Sequence, residues 1–354
     1  MRLKILSVVG ARPQFIKSAV VSREIRKASK EILVHTGQHY DYKMSRIFFD
    51  ELQIPEPDYN LEVGSGPHGW QTGQMLTKIE AVIRNEKPDW LLVYGDTNST
   101  LAGALAAAKL HVKIAHVEAG LRSYNRLMPE EINRVLCDQI SSLLFCPSTT
   151  AVKNLLAEGI TKGVHLVGDV MQDILKQALP AALAKSEILS RLGLKDSEYC
   201  LATIHRAENT DNPSRLKNII DALNDVNQDV VLPLHPRTRK EVEVNNISIR
   251  SHVHVVEPLG YLDMIRLEKS ARMILTDSGG VQKEAYWLGI PCITLRDETE
   301  WTETVDAGWN VLAGYRTDRI LEAVQTFRLP LTRHPLYGDG RAAESIAKII
   351  LLAS

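Results

Sequence analysis

Short apolar segments alternate with longer amphipathic segments along almost the whole chain, and this alternation occurs twice. The first series of apolar segments is Leu3–Val9, Glu31–His35, Trp90–Tyr94 and Lys113–Val117. The second series is Tyr199–Thr203, Val230–Leu234, Val253–Val256, Met273–Thr276 and Cys292–Leu295. Near-continuous apolar strands between helices are typical of a parallel sheet that helices cover on both faces. The sequence therefore predicts two doubly wound α/β domains with a cleft between them.

The amphipathic segments carry apolar residues at helical spacings, which predicts helices. In the first series these are Phe15–Ala28, Met44–Leu52, Gln71–Asn85 and Thr97–Leu110. Between the two series, residues 178–196 are rich in Ala, Lys and Ser and are predicted to form a connecting helix and linker. The predicted domains are therefore residues 1–177 and 197–338. A C-terminal helix within residues 339–354 is expected to pack back on one of them, with the first domain as the candidate.

The composition excludes several classes of protein. A formal net charge of −1 provides no bulk field for nucleic acid or a membrane surface, so neither is an expected partner. No apolar run approaches the roughly 18 residues of a membrane span. The segment Met1–Lys4 leads straight into a strand-like stretch, so no signal peptide is expected. The four cysteines show no paired spacing, which argues against zinc and fits a reducing cytoplasm.

A glycine-containing turn follows the apolar segment Met273–Thr276 and precedes a predicted helix. Ser278, Gly279 and Gly280 would let the backbone approach a phosphate, which the N–H groups of the first helical turn and the helix dipole favour. Glu284, one turn further on, could accept hydrogen bonds from ribose hydroxyls. An ordinary capped turn between a strand and a helix explains the same residues, so the rest of the chain has to decide between the two.

Ligands of open parallel sheets bind beyond the carboxyl ends of the strands. In the first domain the polar residues at those ends, or in the helices that follow them, are Arg12, Lys17, His39, Asp96, Glu118, Arg122, Glu130 and Arg134. Each has an ordinary structural explanation, since Asp96 could cap a helix and Glu130 could favour a helix N-terminus. Their convergence on one edge favours general acid–base chemistry, because neighbouring acids raise one pKa while an arginine holds another low.

Two histidines follow strands of the second domain in the same way. His205 and Arg206 come after Tyr199–Thr203, and His235 comes after Val230–Leu234. A single histidine near a strand end is more often structural than catalytic. Together with the Ser-Gly-Gly turn on the same predicted edge, these residues indicate a site for a diphosphate and for proton transfer near neutral pH.

With these residues in place, the chain resembles the non-hydrolysing UDP-N-acetylglucosamine 2-epimerase family over nearly its whole length. The motifs that carry the resemblance in the first domain are Gly10-Ala11-Arg12-Pro13, Gly37-Gln38-His39, Gly95-Asp96-Thr97, His116-Val117-Glu118-Ala119-Gly120-Leu121-Arg122 and Pro129-Glu130-Glu131-Ile132-Asn133-Arg134. The later motifs are His205-Arg206, Asp277-Ser278-Gly279-Gly280 and Tyr337-Gly338-Asp339-Gly340. So many motifs in the same order make a chance match very improbable.

The resemblance implies the glycosyltransferase-B type of fold, two Rossmann-like domains with the nucleotide sugar in the cleft between them. It implies that Asp96, Glu118 and Glu130 are the catalytic acids, with His205 and Arg12 at the phosphates or the reacting sugar. Ser278, Gly279 and Gly280 would hold the diphosphate of UDP, and Glu284 the ribose. The implied reaction removes the proton at C2, expels UDP from C1 to leave a glycal, and adds UDP back after reprotonation from the other face. The resemblance implies no metal or other cofactor. It does imply a homodimer.

The chain departs from the commonest family pattern at three places. It has Ala11-Arg12-Pro13-Gln14 for Thr-Arg-Pro-Glu, Thr299-Glu300-Trp301 for Thr-Glu-Arg, and Tyr40-Asp41-Tyr42-Lys43-Met44 without the arginine that is linked to allosteric activation. These features resemble a branch that includes UDP-2,3-diacetamido-2,3-dideoxyglucuronate 2-epimerases. UDP-N-acetylglucosamine is the expected substrate and the diacetamido uronate the alternative. A glycosyltransferase, a hydrolysing epimerase and a non-catalytic nucleotide-sugar-binding regulator are the competing classes.

Overall fold

A computed structural model describes residues 2–38 and 55–353 of the chain. The chain divides into two compact units. Unit 1 comprises Met1–Lys176 together with Pro335–Ser354, and unit 2 comprises Gln177–His334. The expected helix Met44–Leu52 and the segment Tyr40–Met44 lie outside the described residues.

Unit 1 contains a parallel sheet of seven strands within its described residues, in the order β3-β2-β1-β4-β5-β6-β7. The strands are β1 Lys4–Val9, β2 Lys30–His35, β3 Tyr59–Asn60, β4 Trp90–Tyr94, β5 Lys113–Val117, β6 Leu143–Cys146 and β7 Val164–Leu166. All five residues of β4 are buried, as expected of a strand covered on both faces. The strand order reverses direction between β1 and β4, which is where doubly wound sheets bind ligands.

The helices that belong wholly to unit 1 are α1 Arg12–Ala28, α2 His68–Glu86, α3 Asn98–Lys109, α4 Pro129–Ile140, α5 Thr149–Ala157 and the C-terminal helix α15 Ala342–Leu352. Helix α6, Val170–Lys185, begins in unit 1 and ends in unit 2. Helix α3 is rich in alanine, and its buried alanines pack on the sheet together with Val8 and Val93. Small side chains let this helix lie close to the strands, which brings its N-terminus to the edge where β4 ends.

Unit 2 contains a parallel sheet of six strands in the order β10-β9-β8-β11-β12-β13. The strands are β8 Tyr199–Thr203, β9 Asp229–Pro233, β10 Val253–Val256, β11 Met273–Thr276, β12 Cys292–Thr294 and β13 Asn310–Leu312. The helices are α7 Ile188–Leu192, α8 Ala207–Thr210, α9 Pro213–Asp225, α10 Pro236–Val244, α11 Tyr261–Ser270, α12 Gly279–Leu288, α13 Thr302–Asp306 and α14 Thr317–Thr326. The order reverses between β8 and β11, the strands that precede His205 and Ser278.

The connecting helix begins earlier than the sequence pattern predicts. Helix α6 starts at Val170, where the Asp169 carboxylate accepts a hydrogen bond from the Met171 N–H at 2.8 Å, and it contains Pro180. The proline interrupts the apolar spacing inside the helix and makes its second half look like a separate element. A short helix, α7, then precedes β8.

The C-terminal helix, α15 Ala342–Leu352, belongs to unit 1 and packs against α1. Its N-terminus is held by the Asp173 carboxylate of α6, which accepts hydrogen bonds from the N–H groups of Ala342 at 3.1 Å and Ala343 at 2.8 Å. An acidic side chain at these otherwise unpaired N–H groups stabilises a helix start. Among the described residues, no helix combines the length and apolarity needed to cross a membrane.

Candidate active site

Asp96 lies directly beyond β4, at the switch point of unit 1. Thr97, not Asp96, caps the following helix, because the Thr97 side chain accepts the Thr100 N–H. The Asp96 carboxylate accepts a hydrogen bond from Arg134 Nη2 at 2.6 Å. Burial raises the pKa of Asp96, and although Arg134 opposes this shift, Glu118 adds to it. A carboxyl with a raised pKa suits proton transfer near neutral pH.

Glu118 lies beyond β5 in the left-handed region, with a φ of 70°. The Phe145 carbonyl holds this strained turn by accepting the N–H groups of Glu118 and Ala119, both at 3.1 Å. The Glu118 carboxylate forms an ion pair with the Lys17 ammonium, and the side chains of Glu118 and Lys17 are about nine-tenths buried. A strained non-glycine backbone at a strand end is common in active sites, where the surrounding structure maintains it.

Gly95 directly precedes Asp96 and lies beside the Glu118 carboxylate. It has a φ of 60°, and a Cβ built on it would lie 3.3 Å from Glu118 Oε2 and 3.4 Å from Lys17 Nζ. Any side chain here would therefore press on the Lys17–Glu118 pair, and the residue after Gly95 is Asp96. Asp96, Glu118, Lys17 and Arg134 form one cluster at the carboxyl edge of the sheet.

Glu130 and Glu131 both lie in the first turn of α4, but their surroundings differ. Glu130 is half-buried and close enough to Asp96 to contribute to its raised pKa. Glu131 is buried and accepts the N–H groups of Ser123 at 2.9 Å and Tyr124 at 3.0 Å. Glu131 therefore maintains the loop before α4, while Glu130 is placed beside the cluster.

Arg122 does not join this cluster. Its guanidinium donates to Asp138 Oδ2 at 2.7 Å and to both carboxylate oxygens of Glu158, each at 2.7 Å. These bonds direct the side chain into unit 1, so the structure places Arg122 in a support network. His39 and the side chain of Arg12 lie outside what the structure describes.

Gln14 is a residue of this edge that the sequence analysis noted only as a departure from the family pattern. Its Oε1 accepts the N–H groups of Gly10 at 2.8 Å and Ala11 at 3.0 Å. Its Nε2 donates to the Tyr94 carbonyl at 2.8 Å and to Thr100 Oγ1 at 2.9 Å. A glutamate could accept the first two bonds but could not donate the others, which explains an amide here.

In unit 2, Asp277 organises the end of β8 from the end of β11. The buried Asp277 carboxylate accepts the N–H groups of His205 at 3.1 Å and Arg206 at 3.0 Å, and the Asn209 side-chain amide at 3.1 Å. His205 Nδ1 lies 3.1 Å from Asp277 Oδ1. Burial alone would raise the pKa of Asp277, but the bonds from His205 and its neighbours hold it below its ordinary value. His205 is half-exposed and oriented by this carboxylate, the arrangement found in acid–base pairs.

The Ser-Gly-Gly turn has the geometry expected of an anion site. Ser278 is the N-cap of α12 and its hydroxyl accepts the Val281 N–H. A Cβ on Gly279 would lie 2.8 Å from Trp301 Nε1 and 3.0 Å from Glu300 Oε1, so packing requires glycine there. At Gly280 the nearest atom would be 3.8 Å away, which leaves the backbone accessible. The turn thus leads into the N-terminus of a ten-residue helix, where backbone N–H groups can bind an anion.

Arg206 and His235 have local partners in unit 2. Arg206 Nη2 lies 3.4 Å from Glu300 Oε1, and Arg296 Nη1 lies 2.9 Å from Glu300 Oε2. His235 is exposed and its Nδ1 accepts the Arg237 N–H at 3.2 Å as the N-cap of α10. Arg206 lies next to His205 at the switch point, whereas His235 lies one strand away, beyond β9.

Glu284 is buried in α12 and accepts a hydrogen bond from the Tyr261 hydroxyl at 3.3 Å. Beside it lies Glu268 of α11, which is also buried and which the sequence analysis did not identify. Burial and the neighbouring Glu284 carboxyl raise the pKa of Glu268 well above its ordinary value. A raised pKa on one carboxyl of such a pair avoids placing two buried negative charges side by side.

The fold and these two strand-end sites define a two-unit α/β enzyme of the glycosyltransferase-B type. The sequence pattern of the UDP-N-acetylglucosamine 2-epimerase family matches residues 23–351. The chain belongs to this family, and its relatives are epimerases, which makes it an isomerase.

Individual relatives agree with this assignment. A "UDP-N-acetylglucosamine 2-epimerase homolog" of Methanococcus maripaludis is 54% identical over 98% of this chain and 99% of its own. The UDP-2,3-diacetamido-2,3-dideoxy-D-glucuronate 2-epimerase of Pseudomonas aeruginosa is 52% identical over 98% of this chain and 99% of its own. The crystal structure of the Methanocaldococcus jannaschii UDP-GlcNAc 2-epimerase with UDP-GlcNAc and UDP is 44% identical over 99% and 100%, with a TM-score of 0.91. The expected family and fold type are confirmed.

Proposed function

We propose that the enzyme interconverts UDP-N-acetylglucosamine and UDP-N-acetylmannosamine without net hydrolysis. The observation that carries the proposal is the meeting of the Asp96–Arg134 and Glu118–Lys17 pairs around Gly95. Inversion at C2 needs one group that removes a proton and another that returns it to the opposite face. Two carboxylates in different environments supply two such groups.

The steps follow from the chemistry of the sugar. A base takes the C2 proton while the C1–O bond to UDP breaks, which leaves a C1=C2 double bond and free UDP in the site. Protonation of C2 from the other face and return of a UDP oxygen to C1 complete the inversion. In this proposal Asp96, Glu118 and Glu130 serve proton transfer, while Lys17 and Arg134 hold two of these carboxylates. The raised pKa of Asp96 fits a group that both accepts and donates a proton.

Unit 2 is proposed to hold the leaving group. The α12 N-terminus with Ser278, Gly279 and Gly280 would bind the diphosphate, and Glu284 the ribose hydroxyls. His205, oriented by Asp277, would contact the phosphates or the reacting sugar, with Arg206 beside it. Arg12 and His39 remain part of the proposed substrate contacts from sequence alone. His235 is a further candidate, which follows β9, one strand away from the switch point of unit 2.

The diacetamido uronate is a second candidate substrate for a specific reason. The Pseudomonas relative named for that sugar is 52% identical, whereas the Methanococcus maripaludis enzyme named UDP-N-acetylglucosamine 2-epimerase is 45% identical. Both substrates invert at the same carbon, so the proposed acids serve either reaction.

Proton NMR in D2O with UDP-N-acetylglucosamine and no acceptor tests the function. We expect the manno epimer to appear with deuterium at C2 and with UDP still attached. Release of UDP with free N-acetylmannosamine would instead show a hydrolysing enzyme. If C2 exchange occurs only with the diacetamido uronate, the alternative substrate is correct, and absence of exchange with both would overturn the proposed epimerisation.

Ser278→Ala is expected to weaken UDP binding about tenfold, because a hydroxyl at the diphosphate site is lost. The substitution also removes a helix cap, which costs about 1 kcal/mol of stability. Ser148→Ala is the matched control, since Ser148 caps α5 of unit 1 by accepting the Ala151 N–H. Calorimetric titration with UDP should separate the two variants although both lose a cap. Equal UDP affinity in both would mean that Ser278 does not contact the phosphates.

We also propose a cytoplasmic homodimer. Four buried cysteine thiols fit a reducing compartment. Unit 1 exposes the apolar side chains of Leu127, Ile132 and Leu136 in and just before α4, which a partner subunit would cover. Light scattering that gives the mass of one chain would exclude the dimer.

A further inference from the structure

His116 of the His116–Arg122 motif lies inside the sheet, and its side chain contacts Gly95, the residue before Asp96. It belongs to β5, where it pairs with Val93 of β4, and its side chain is fully buried. Its Nε2 lies 2.7 Å from the carbonyl oxygen of Gly95, and its Nδ1 lies 2.8 Å from Asp138 Oδ1. Both ring nitrogens are therefore engaged inside unit 1.

The hydrogen on Nε2 of His116 follows from its partner. A carbonyl oxygen can only accept, so Nε2 must carry a hydrogen and donate it to Gly95. Asp138 is held from its other side by Arg122 Nη1 at 2.7 Å and by the Gly120 N–H at 3.1 Å. Arg122 is in turn fixed by Glu158. This chain of contacts fixes the orientation of the imidazole ring.

Gly95 is consequently held by β5 at both ends of the residue. Its N–H donates to the Val117 carbonyl at 3.0 Å, and its carbonyl accepts from His116. The carbon of that carbonyl is bonded to the nitrogen of Asp96, and Gly95 also borders the Lys17–Glu118 pair. A shift of the Gly95 peptide would therefore displace Asp96 relative to Glu118.

We propose that His116 is a positioning residue of the epimerisation reaction, which sets the distance between the Asp96 and Glu118 carboxylates through its Nε2–H contact with Gly95. The proposal rests on the proposed function, in which these two carboxylates transfer the C2 proton. His116 touches neither substrate nor the reacting atoms. Arg122, placed by the sequence at the substrate, acts in this arrangement as the outer support of Asp138.

Two variants of similar size separate positioning from general stability. The amide nitrogen of His116→Asn matches Nδ1 and keeps the Asp138 contact, while that of His116→Gln matches Nε2 and keeps the Gly95 contact. We expect His116→Asn to lower kcat about 10²-fold, the usual cost of a misplaced catalytic group, with UDP affinity within about twofold of the wild type. His116→Gln should keep kcat within about fivefold, because the Gly95 contact survives.

Thermal unfolding, calorimetry with UDP and the NMR exchange assay at C2 provide the readouts. Similar melting temperatures with very different kcat values support positioning, whereas equal kcat values in the two variants would overturn it. If the His116 variants do not fold, Asp138→Asn decides. Its amide oxygen can accept from Arg122 and the Gly120 N–H while its amide N–H donates to His116 Nδ1, so the ring keeps its orientation and its Nε2–H contact with Gly95. This variant should lose no more than about tenfold in kcat. A loss of about 10²-fold or more there would overturn the proposal. An inactive wild type would instead refute the proposed function itself.

Discussion

Asp96→Asn is expected to lower kcat by about 10³-fold while UDP binds as tightly as before. The amide keeps the shape of the carboxyl but can neither accept nor return the C2 proton. It also loses the charge that pairs with Arg134 at 2.6 Å. UDP affinity should survive because the proposed diphosphate and ribose contacts belong to unit 2. Exchange of deuterium at C2 measures the chemical step directly, and calorimetry with UDP measures the binding.

Asp89→Asn is the matched control for this experiment. Asp89 lies just before β4, at the opposite end of the strand that Asp96 follows, and its carboxylate accepts the Lys4 N–H at 2.8 Å. An asparagine oxygen can accept the same bond, so activity should stay close to that of the wild type. Glu118→Gln should behave like Asp96→Asn. Near-normal exchange in either catalytic variant would contradict the site assignment.

Asp277→Asn is expected to lower the free energy of unfolding of unit 2 by about 3 kcal/mol, the usual cost of breaking a buried charged network by removing one partner. When the new amide oxygen accepts from Arg206 and Asn209, the amide N–H group replaces Oδ1 and faces the N–H of His205. Because His205 loses its orienting carboxylate, kcat should fall as well. Urea unfolding followed by tryptophan fluorescence measures the stability, since Trp287, Trp301 and Trp309 lie in unit 2.

Asp297→Asn is the control for this variant. Asp297 is in the same unit, two-thirds exposed, and pairs with Arg215 at 3.2 Å. Exposed pairs contribute about 0–1 kcal/mol, so its loss should be barely measurable. Equal destabilisation by the two substitutions would show that Asp277 does not organise the end of β8.

The difference between the wild type and Asp277→Asn should depend on pH in one direction. Because the folded pKa of Asp277 lies below its ordinary value of 3.8, the carboxylate stabilises the folded state above that value. This contribution is lost as the pH falls through the folded pKa. The gap between the two unfolding free energies should therefore narrow in acid and stay constant near neutral pH.

The sheet edges were predictable from sequence because strand ends are local features. Asp96, Glu118, His205 and Ser278 each follow an apolar run, and the parallel topology brings such positions to one edge of each sheet. The short strands β3, β6, β7 and β13 were missed. Strands β3, β7 and β13 have only two or three residues and are partly exposed, so they form no apolar run that separates them from loops.

Other features depend on contacts that spacing does not encode. The direction of the Arg122 side chain is set by Asp138 and Glu158, which lie 16 and 36 residues further along the chain. Gln14 is informative only once its four partners are known, because the same position could hold a surface amide. Glu268 lies in an amphipathic helix where a glutamate is usually solvated, and only the fold places it beside Glu284.

The four cysteines give the molecule an internal reporter of opening. Cys137 and Cys146 lie in unit 1 and Cys200 and Cys292 in unit 2, all buried. Burial raises the thiol pKa of Cys200 to about 11 and those of Cys146 and Cys292 to about 12. An alkylating reagent can therefore react only when a unit opens transiently. Mass spectrometry of the modified peptides would measure the opening rate of each unit separately. A ligand held by one unit would slow the labelling of that unit's pair first, which identifies the binding unit without any substitution.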